Sequence, residues 1–498
     1  MATASNGSES NKKLFYNYVV PPPPDTVKRL DITRIETYPE GNLLLRPGDR
    51  IRFRVKGLTG CSVFVNNTTP LYEMRTDANQ PMPGIYQGEY IISESDSFLT
   101  TKLPVTIVDT ANNTVTRTTS NHVTIFNPLL SDMVITKGRL AHLLYGLGDD
   151  RLGGAKMGYI DSLIPLQITG KVGSLYRVQL TPYRTAWIPD DVVELMPKGN
   201  VRPTSLTGNW RVYGDSLFDY VQVNLFSRLP YQSFQLVEPS KIVVDIFGAT
   251  NNTNWITQLE NAQEVKNVRY EQLEDEVLRV TIDLRHAQHW GYQIFYRGNN
   301  LVIKIRREPA TTGLKGLVVA VDAGHGGGNS GASGPTGSSE KMLALAVSLK
   351  LKKALQQQGA HVIMTRNTEL FVDNKERILM YRDSMPHLLI SIHLNSSADP
   401  INVGGTATFY RYVGFRSLNQ LIYRRMLELG LKEYGNTGSF NFMLNSPTEY
   451  PNSLVEMLFI SNPEEEALII DESFQQKVAD KIVLGVRDFL EASRGKLN

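Results

Sequence analysis

Cysteine is almost absent. Cys61 stands alone in 498 residues, so no internal disulfide can form, and CxxC zinc knuckles and iron–sulfur ligation are excluded. No apolar run approaches the ~20 residues that span a bilayer; the longest, such as Leu317–Val321, have strand length. Excess charge of either sign is also missing. Lys and Arg number 52 against 50 Asp and Glu, a formal net charge of +2, which gives no general pull toward nucleic acid or anionic lipid. With 41% apolar and 20% charged residues, the chain is neither disordered, collagen-like nor a coiled coil. At roughly 100–200 residues per domain, the length predicts about three or four domains.

Met1 to Lys13 is polar and lacks a basic head followed by an apolar stretch, so it is not an intact signal peptide. A cytosolic protein and an exported one with its signal removed both fit. Pro21–Pro24 is stiff and reads as a spacer, closing a leader at residues 1–25. Residues 26–130 are strand-like. Ile51, Phe53 and Val55 alternate with Arg50, Arg52, Arg54 and Lys56, and turn clusters recur at Arg46-Pro47-Gly48-Asp49 and Ala111-Asn112-Asn113, which predicts an Ig-like β-sandwich. Its basic face is read as solvated rather than as a polymer-binding surface. Residues 131–198, with Leu175–Leu180, Trp187-Ile188 and Val192–Leu195, resemble a bacterial SH3-like barrel. Residues 199–310 alternate again, at Val221, Val223 and Leu225 and at Leu278, Val280, Ile282 and Leu284. They predict a further β-sandwich, completed by Ile242–Phe247 and Leu301–Ile305.

From residue 311 the pattern changes. Strand Leu317–Val321 precedes a glycine-rich loop and a helix over Glu340–Gln358, with Leu343, Val347, Leu351, Ala354 and Leu355 on one face and Gly359 as its stop. Strand His361–Thr365, helix Asn374–Ser384, strand Leu388–Ile392, strand Thr406–Tyr410, helix Phe415–Lys432 and strand Ser453–Ile460 follow. A final helix carries Phe474, Val478, Ile482, Val486 and Phe489. Alternating strands and helices predict an α/β domain over 311–498 with a largely parallel sheet. Ligands bind such sheets at the carboxyl ends of their strands.

Three positions beside those strands carry chemistry. His325, in Asp322-Ala323-Gly324-His325-Gly326-Gly327-Gly328, has small neighbours that leave it room. His393 ends another strand, in Ser391-Ile392-His393-Leu394-Asn395. Glu456 lies inside the apolar run Leu454–Ile460, where an unpaired carboxylate costs several kcal/mol, so a cation or a catalytic proton is expected nearby. Glu340 adds a fourth group. It opens a helix after a flexible loop, Asn329–Ser339, and can fold back toward His325. Two imidazoles and a carboxylate make a three-ligand set for one catalytic zinc with an open position for water, and a second carboxylate can move the proton. His122, His142, His286, His289, His361 and His387 are read as packed or surface residues. Gly326-Gly327-Gly328-Asn329-Ser330-Gly331 matches G-x-G-x-x-G, but Pro335 and its polar neighbours delay the helix to Glu340. Dinucleotide binding, which needs the helix to open within the glycines, is therefore rejected.

These residues, in register with Thr365-Arg366-Asn367-Thr368, Glu376-Arg377 and Phe459-Ile460-Ser461-Asn462-Pro463, resemble the zinc-dependent N-acetylmuramoyl-L-alanine amidase family, type-3 catalytic domain. The resemblance implies that His325, Glu340 and His393 bind zinc and that Glu456 is the general base. It also implies a substrate, the amide between N-acetylmuramic acid and the L-alanine of the peptidoglycan stem. Residues 199–310 look like the targeting module found ahead of cell-wall hydrolase domains. Export to a periplasm or cell envelope is then expected, with peptidoglycan as partner, envelope or division proteins as further partners of the β modules, and neither nucleic acid nor a transmembrane span. Two departures are present. Leu394 follows the second histidine, where the family usually has alanine. Leu458 stands two after the glutamate, where it usually has glycine, and strand alternation predicts Leu458 on the face of Glu456, where it narrows the site or alters access to it. These departures allow an alternative, a catalytically weak or dead wall-binding scaffold of the same fold; a zinc peptidase acting on the cross-link is a third reading. Some family members plug the site with an inserted helix. Only 63 positions separate His393 from Glu456, and the predicted strand, helix and strand occupy most of them, so no plug is expected.

Overall fold

Period-two alternation makes the strand Arg50–Gly57: Ile51, Phe53 and Val55 are buried while Arg50, Arg52 and Arg54 face outward, as a half-buried strand requires. Its basic face is partly neutralised. Arg50 and Arg52 donate to Glu89 at 3.1 and 3.0 Å, exposed pairs that solvent and salt screen. This computed structural model describes residues 2–3, 9–10, 26–74, 83–127, 132–148, 150, 152–311 and 313–494. The Pro21–Pro24 spacer lies outside the described residues.

The chain divides into two compact units, Met1–Ser131 with Ile168–Arg177, and Asp132–Gln167 with Val178–Asn498. In the first, seven strands pair in the order 114–118, 104–108, 62–65, 69–73, 85–91, 50–57, 32–38, with antiparallel neighbours throughout. Residues 171–172 pair with Leu43 and Leu44 in this unit.

In the second unit, Trp210–Gly214, Phe218–Val223, Asn300–Arg306 and Tyr292–Arg297 belong to one five-stranded sheet, while Tyr231–Val237, Ser240–Phe247, Val277–Leu284 and Val265–Glu274 form another. This β region is fastened to the α/β region that follows it. Trp290 is buried within the α/β core, 5.5 Å from the Phe489 ring. Gly414 donates its N–H to Gln235 at 2.9 Å, and its carbonyl accepts from Gln288 at 2.7 Å.

His289 sits in this junction, 2% exposed, with Nε2 2.9 Å from the Leu236 carbonyl. Burial pushes its imidazole down to about 4, below an unfolded value near 6.5. The unfolded chain therefore binds the extra proton first, and stability is lost as pH falls from about 6.5 toward 4. Between pH 7 and 4.5, urea unfolding should show His289→Gln losing about 2 kcal/mol less than the parent chain; equal losses would remove His289 from the account.

The α/β region is built from β1 (Val318–Ala323), α1 (Glu340–Gln357), β2 (His361–Met364), α2 (Asn374–Ser384), β3 (Leu388–Asn395), β4 (Thr406–Phe409), α3 (Arg416–Leu427), β5 (Glu433–Thr437), β6 (Asn452–Phe459), α4 (Pro463–Ile470) and α5 (Glu472–Ala492). The six strands are ordered β2-β1-β3-β6-β4-β5. The pairs β1/β2, β1/β3, β3/β6 and β4/β5 are parallel, and β4/β6 is antiparallel. Leu343, Val347, Leu351 and Leu355 of α1 and Phe474, Val478, Ile482, Val486 and Phe489 of α5 share one buried cluster with β1, β3 and β6, each large apolar side chain contributing about 1.5–3 kcal/mol. α3 ends earlier than the sequence pattern suggests, and β5 was not anticipated. It is an edge strand whose residues are exposed or half-buried, so no apolar alternation announces it. Between His393 and Glu456 the only helical elements are α3 and two three-residue 3-10 turns. α3 packs on α5, where Arg425 bonds Asp488 at 2.6 and 3.0 Å.

Candidate metal centre

The chain leaves β1 through Gly324-His325-Gly326. His325 adopts φ +60°, a left-handed conformation that costs a non-glycine residue about 1–2 kcal/mol. Two buried arginines hold it there. Arg377 donates to the His325 carbonyl at 2.6 Å and to the Ala323 carbonyl and Asp322 Oδ1 at 2.8 Å. Arg366 donates to the Ala323 carbonyl at 3.1 Å and the Gly324 carbonyl at 2.8 Å. Asp322 is fully buried and also accepts from Ser391 Oγ at 2.6 Å and from Thr365. Burial works to raise its carboxyl, but Arg377, Ser391 and Thr365 together hold it below the ordinary value.

Glu340 reaches His325 because the segment before α1 is fastened, not flexible. The buried carboxylate of Glu466 on α4 accepts from the Thr336 N–H at 3.0 Å, from Thr336 Oγ1 at 2.7 Å and from Ser338. The Glu340 N–H donates to the Ala332 carbonyl at 2.9 Å. Glu340 Oε2 accepts from the Ala332 N–H at 2.8 Å, and Oε1 from the Leu394 N–H at 3.1 Å.

His325 Nε2 and His393 Nδ1 both lie 3.0 Å from Glu340 Oε1, and the three ligand atoms lie within 4.8 Å of one another. The rings meet edge to face, with centroids 5.0 Å apart. His325 Nδ1 is 3.0 Å from Asn329 Oδ1, which also accepts from the Gly331 N–H at 3.2 Å. Because Oδ1 can only accept, Nδ1 carries the proton and Nε2 presents a lone pair. That lone pair faces a carboxylate oxygen, so a proton or a cation has to lie between them. Two imidazoles and a carboxylate suit zinc. The side chain of His325 is 23% exposed, against 5% for Glu340 and 10% for His393, so the cluster opens to solvent on the His325 side. Burial pulls Glu340 upward, but the two histidines hold its carboxylate far below the usual range.

Glu456 stands on β6, in register with His393 on β3. Parallel register partners project to the same face. Burial would lower the His393 imidazole, but Glu340, and after it Glu456 and Asp322, hold it above its ordinary value. The Leu458 expectation fails. Between His393 and Asn395 the β3/β6 register slips by one residue, a bulge that breaks the alternation. Leu458 joins Met457 in the core, 0% exposed, and Leu394 is 2% exposed in the same cluster; neither narrows the site.

Glycine is required at Gly324: a Cβ there would lie 2.5 to 2.7 Å from three atoms of the His393 ring. Gly324→Ala should therefore leave a folded chain that has lost most of its zinc affinity. Equal zinc content in the two proteins, measured by elemental analysis, would show that the ring has room to retreat.

None of the six other histidines joins the cluster. The sequence reading assigned no role to Arg366, Arg377, Asp322, Asn329 or Phe442, whose ring centroid is 5.9 Å from that of His393. For the arginines there was a signal. Both fall within sequence pieces already singled out, but nothing local shows that they grip a loop tens of residues away. Asn441, next to Phe442, bonds the Lys156 N–H at 3.1 Å and the Gly154 carbonyl at 2.9 Å.

The chain is similar to known proteins over part of its length. A family described as N-acetylmuramoyl-L-alanine amidase matches residues 319–488, and the AMIN domain matches residues 210–305. The chain is 31% identical over 195 residues to "Probable cell wall amidase LytH" of Staphylococcus epidermidis, covering 39% of this chain and 65% of that protein. It thus spans less than two thirds of that relative's length. It is 24% identical over 374 residues to "N-acetylmuramoyl-L-alanine amidase AmiC" of Neisseria meningitidis serogroup B, covering 57% of this chain and 89% of that one. The solved catalytic domain of CwlV, an N-acetylmuramoyl-L-alanine amidase from Bacillus (Paenibacillus) polymyxa var. colistinus, is 32% identical, with 35% of this chain and 98% of that one covered and a TM-score of 0.34. The chain belongs to the N-acetylmuramoyl-L-alanine amidase family.

Proposed function

We propose that this chain is a zinc-dependent peptidoglycan hydrolase that cleaves the amide between the lactyl group of N-acetylmuramic acid and the L-alanine of the stem peptide. The observation that carries the proposal is the convergence of His325 Nε2 and His393 Nδ1 on Glu340 Oε1, each at 3.0 Å. These three residues hold the ion. Bound there, zinc supplies a Lewis acid and lowers the pKa of a coordinated water to about 7.

The chain's own residues do the rest. Asn329 fixes the His325 tautomer, so that Nε2 is the ligating atom. Glu456 takes the proton of the attacking water and returns it to the leaving L-alanine nitrogen, a role worth ~10²–10⁴ in rate. Arg366 and Arg377 keep the His325 loop in its left-handed turn. The buried positions of Leu394 and Leu458 remove the reason for reading the domain as a dead scaffold.

In this reading, residues 26–130, 131–198 and 199–310 are an Ig-like sandwich, an SH3-like barrel and a targeting sandwich ahead of a catalytic domain at 311–498. They hold the enzyme at the wall, in a periplasm or envelope. Digestion of purified peptidoglycan with and without chelator tests the reading, with products identified by mass. Free stem peptides beginning at L-alanine, lost on chelation, are expected. Cleaved cross-links would mean a peptidase, and no products a scaffold. Strong activation of the purified chain by a separate protein would argue for a plugged site.

A further inference from the structure

Away from the metal centre, on the five-stranded sheet that precedes the α/β region, lies an unbalanced cation. Arg306 ends the strand Asn300–Arg306 and is 9% exposed. Its Nη2 donates to the Met385 carbonyl at 3.0 Å, its guanidinium lies 5.5 Å from the centre of the Phe218 ring, and its Nε is buried without a hydrogen-bond partner. Among the described residues, no carboxylate forms an ion pair with it. Burial pushes it down to about 10, with no acid offsetting the effect. A guanidinium taken out of water without a counter-charge is strongly disfavoured.

A second donor stands beside it. His387 Nδ1 accepts from the Val318 N–H at 3.1 Å, so its proton sits on Nε2. Burial, and after it Arg306, push His387 down to about 4. Both residues and the exposed Lys315 line a cleft of about 730 Å³. Among the other charged groups on its walls, Arg494 is exposed, while Arg307 and His286 contact acids. Arg307 pairs with Asp219 at 2.7 Å, and His286 contacts Glu264 and lies 3.4 Å from Glu308.

We propose that this cleft is an anion-binding site in which Arg306 and the Nε2–H of His387 take an oxyanion, a peptide carboxylate or a phosphate ester, with Lys315 at its mouth. Val318 opens β1 and His325 follows its far end. The cleft is therefore separated from the His–Glu–His cluster by a six-residue strand, ~20 Å. It holds a ligand rather than reacting with one, and it does not depend on the metal centre.

Isothermal titration of the full chain with inorganic phosphate and with acetyl-D-alanyl-D-alanine tests the proposal and separates the two sources. Saturable binding of either probe is expected, weakened about tenfold or more by Arg306→Met, which keeps an aliphatic stem against Phe218. The same loss is expected in Lys315→Glu, with zinc content unchanged in both. Absence of saturable binding of both probes, or undiminished binding in Arg306→Met, would overturn it. Should Arg306→Met fail to fold, undiminished binding in Lys315→Glu, an exposed position, serves the same purpose.

Discussion

Glu456→Gln is expected to lower peptidoglycan hydrolysis ~10²–10⁴-fold while leaving one zinc per chain. The register across β3 and β6 sets Glu456 beside His393, yet it is not among the three groups whose ligand atoms converge. Glutamine keeps the shape and the strand packing but cannot accept the proton. His325→Ala should behave differently, removing a ligand and so losing zinc and turnover together. Rates and metal content measured on the same preparations separate the two roles. Wild-type turnover in Glu456→Gln would end its assignment as base, and full zinc content in His325→Ala would end that residue's assignment as ligand.

Arg377→Met is expected to cost about 3–5 kcal/mol, the largest stability effect of any single change considered. Asp322 and Arg377 are 0% and 2% exposed and paired at 2.8 Å. Removing the guanidinium leaves a carboxylate uncompensated in the core. It also frees the carbonyls of Ala323 and His325, and with them the strained turn. The double variant Arg377→Met with Asp322→Asn distinguishes these consequences. Removing both charges should recover much of the stability, but not zinc binding, because the His325 loop stays unheld. Urea midpoints and zinc content measure the two effects. The carboxylate's contribution has a definite sign in pH. Its folded value is depressed, so the stabilisation is complete above an unfolded value of about 3.9 and disappears as pH falls through the folded one.

Much of the α/β region could be read without coordinates. The apolar face of α1, broken by Gly359, and the apolar core run of β6 around Glu456 are local patterns, and local patterns survive in sequence. The spacing at Leu343, Val347, Leu351 and Leu355 reappears as four buried side chains. Leu458 shows where that reasoning stops. Alternation is a property of a regular strand, and one bulge opposite Leu394 turned a supposed site residue into core. The segment before α1 shows it again. Its serines and glycines suggest mobility, but Glu466, far along the chain, fastens it through Thr336 and Ser338.

By itself, the sequence determined the residue types that can do chemistry here, the strand ends and helix start that carry them, and their family resemblance. Each follows from neighbours a few positions apart. The tertiary structure alone decided that His325 Nε2 faces Glu340 Oε1, that two arginines grip the loop, and that Arg306 is buried without an acid. Those facts depend on distances and exclusion of water between segments far apart in the chain, which no local pattern encodes.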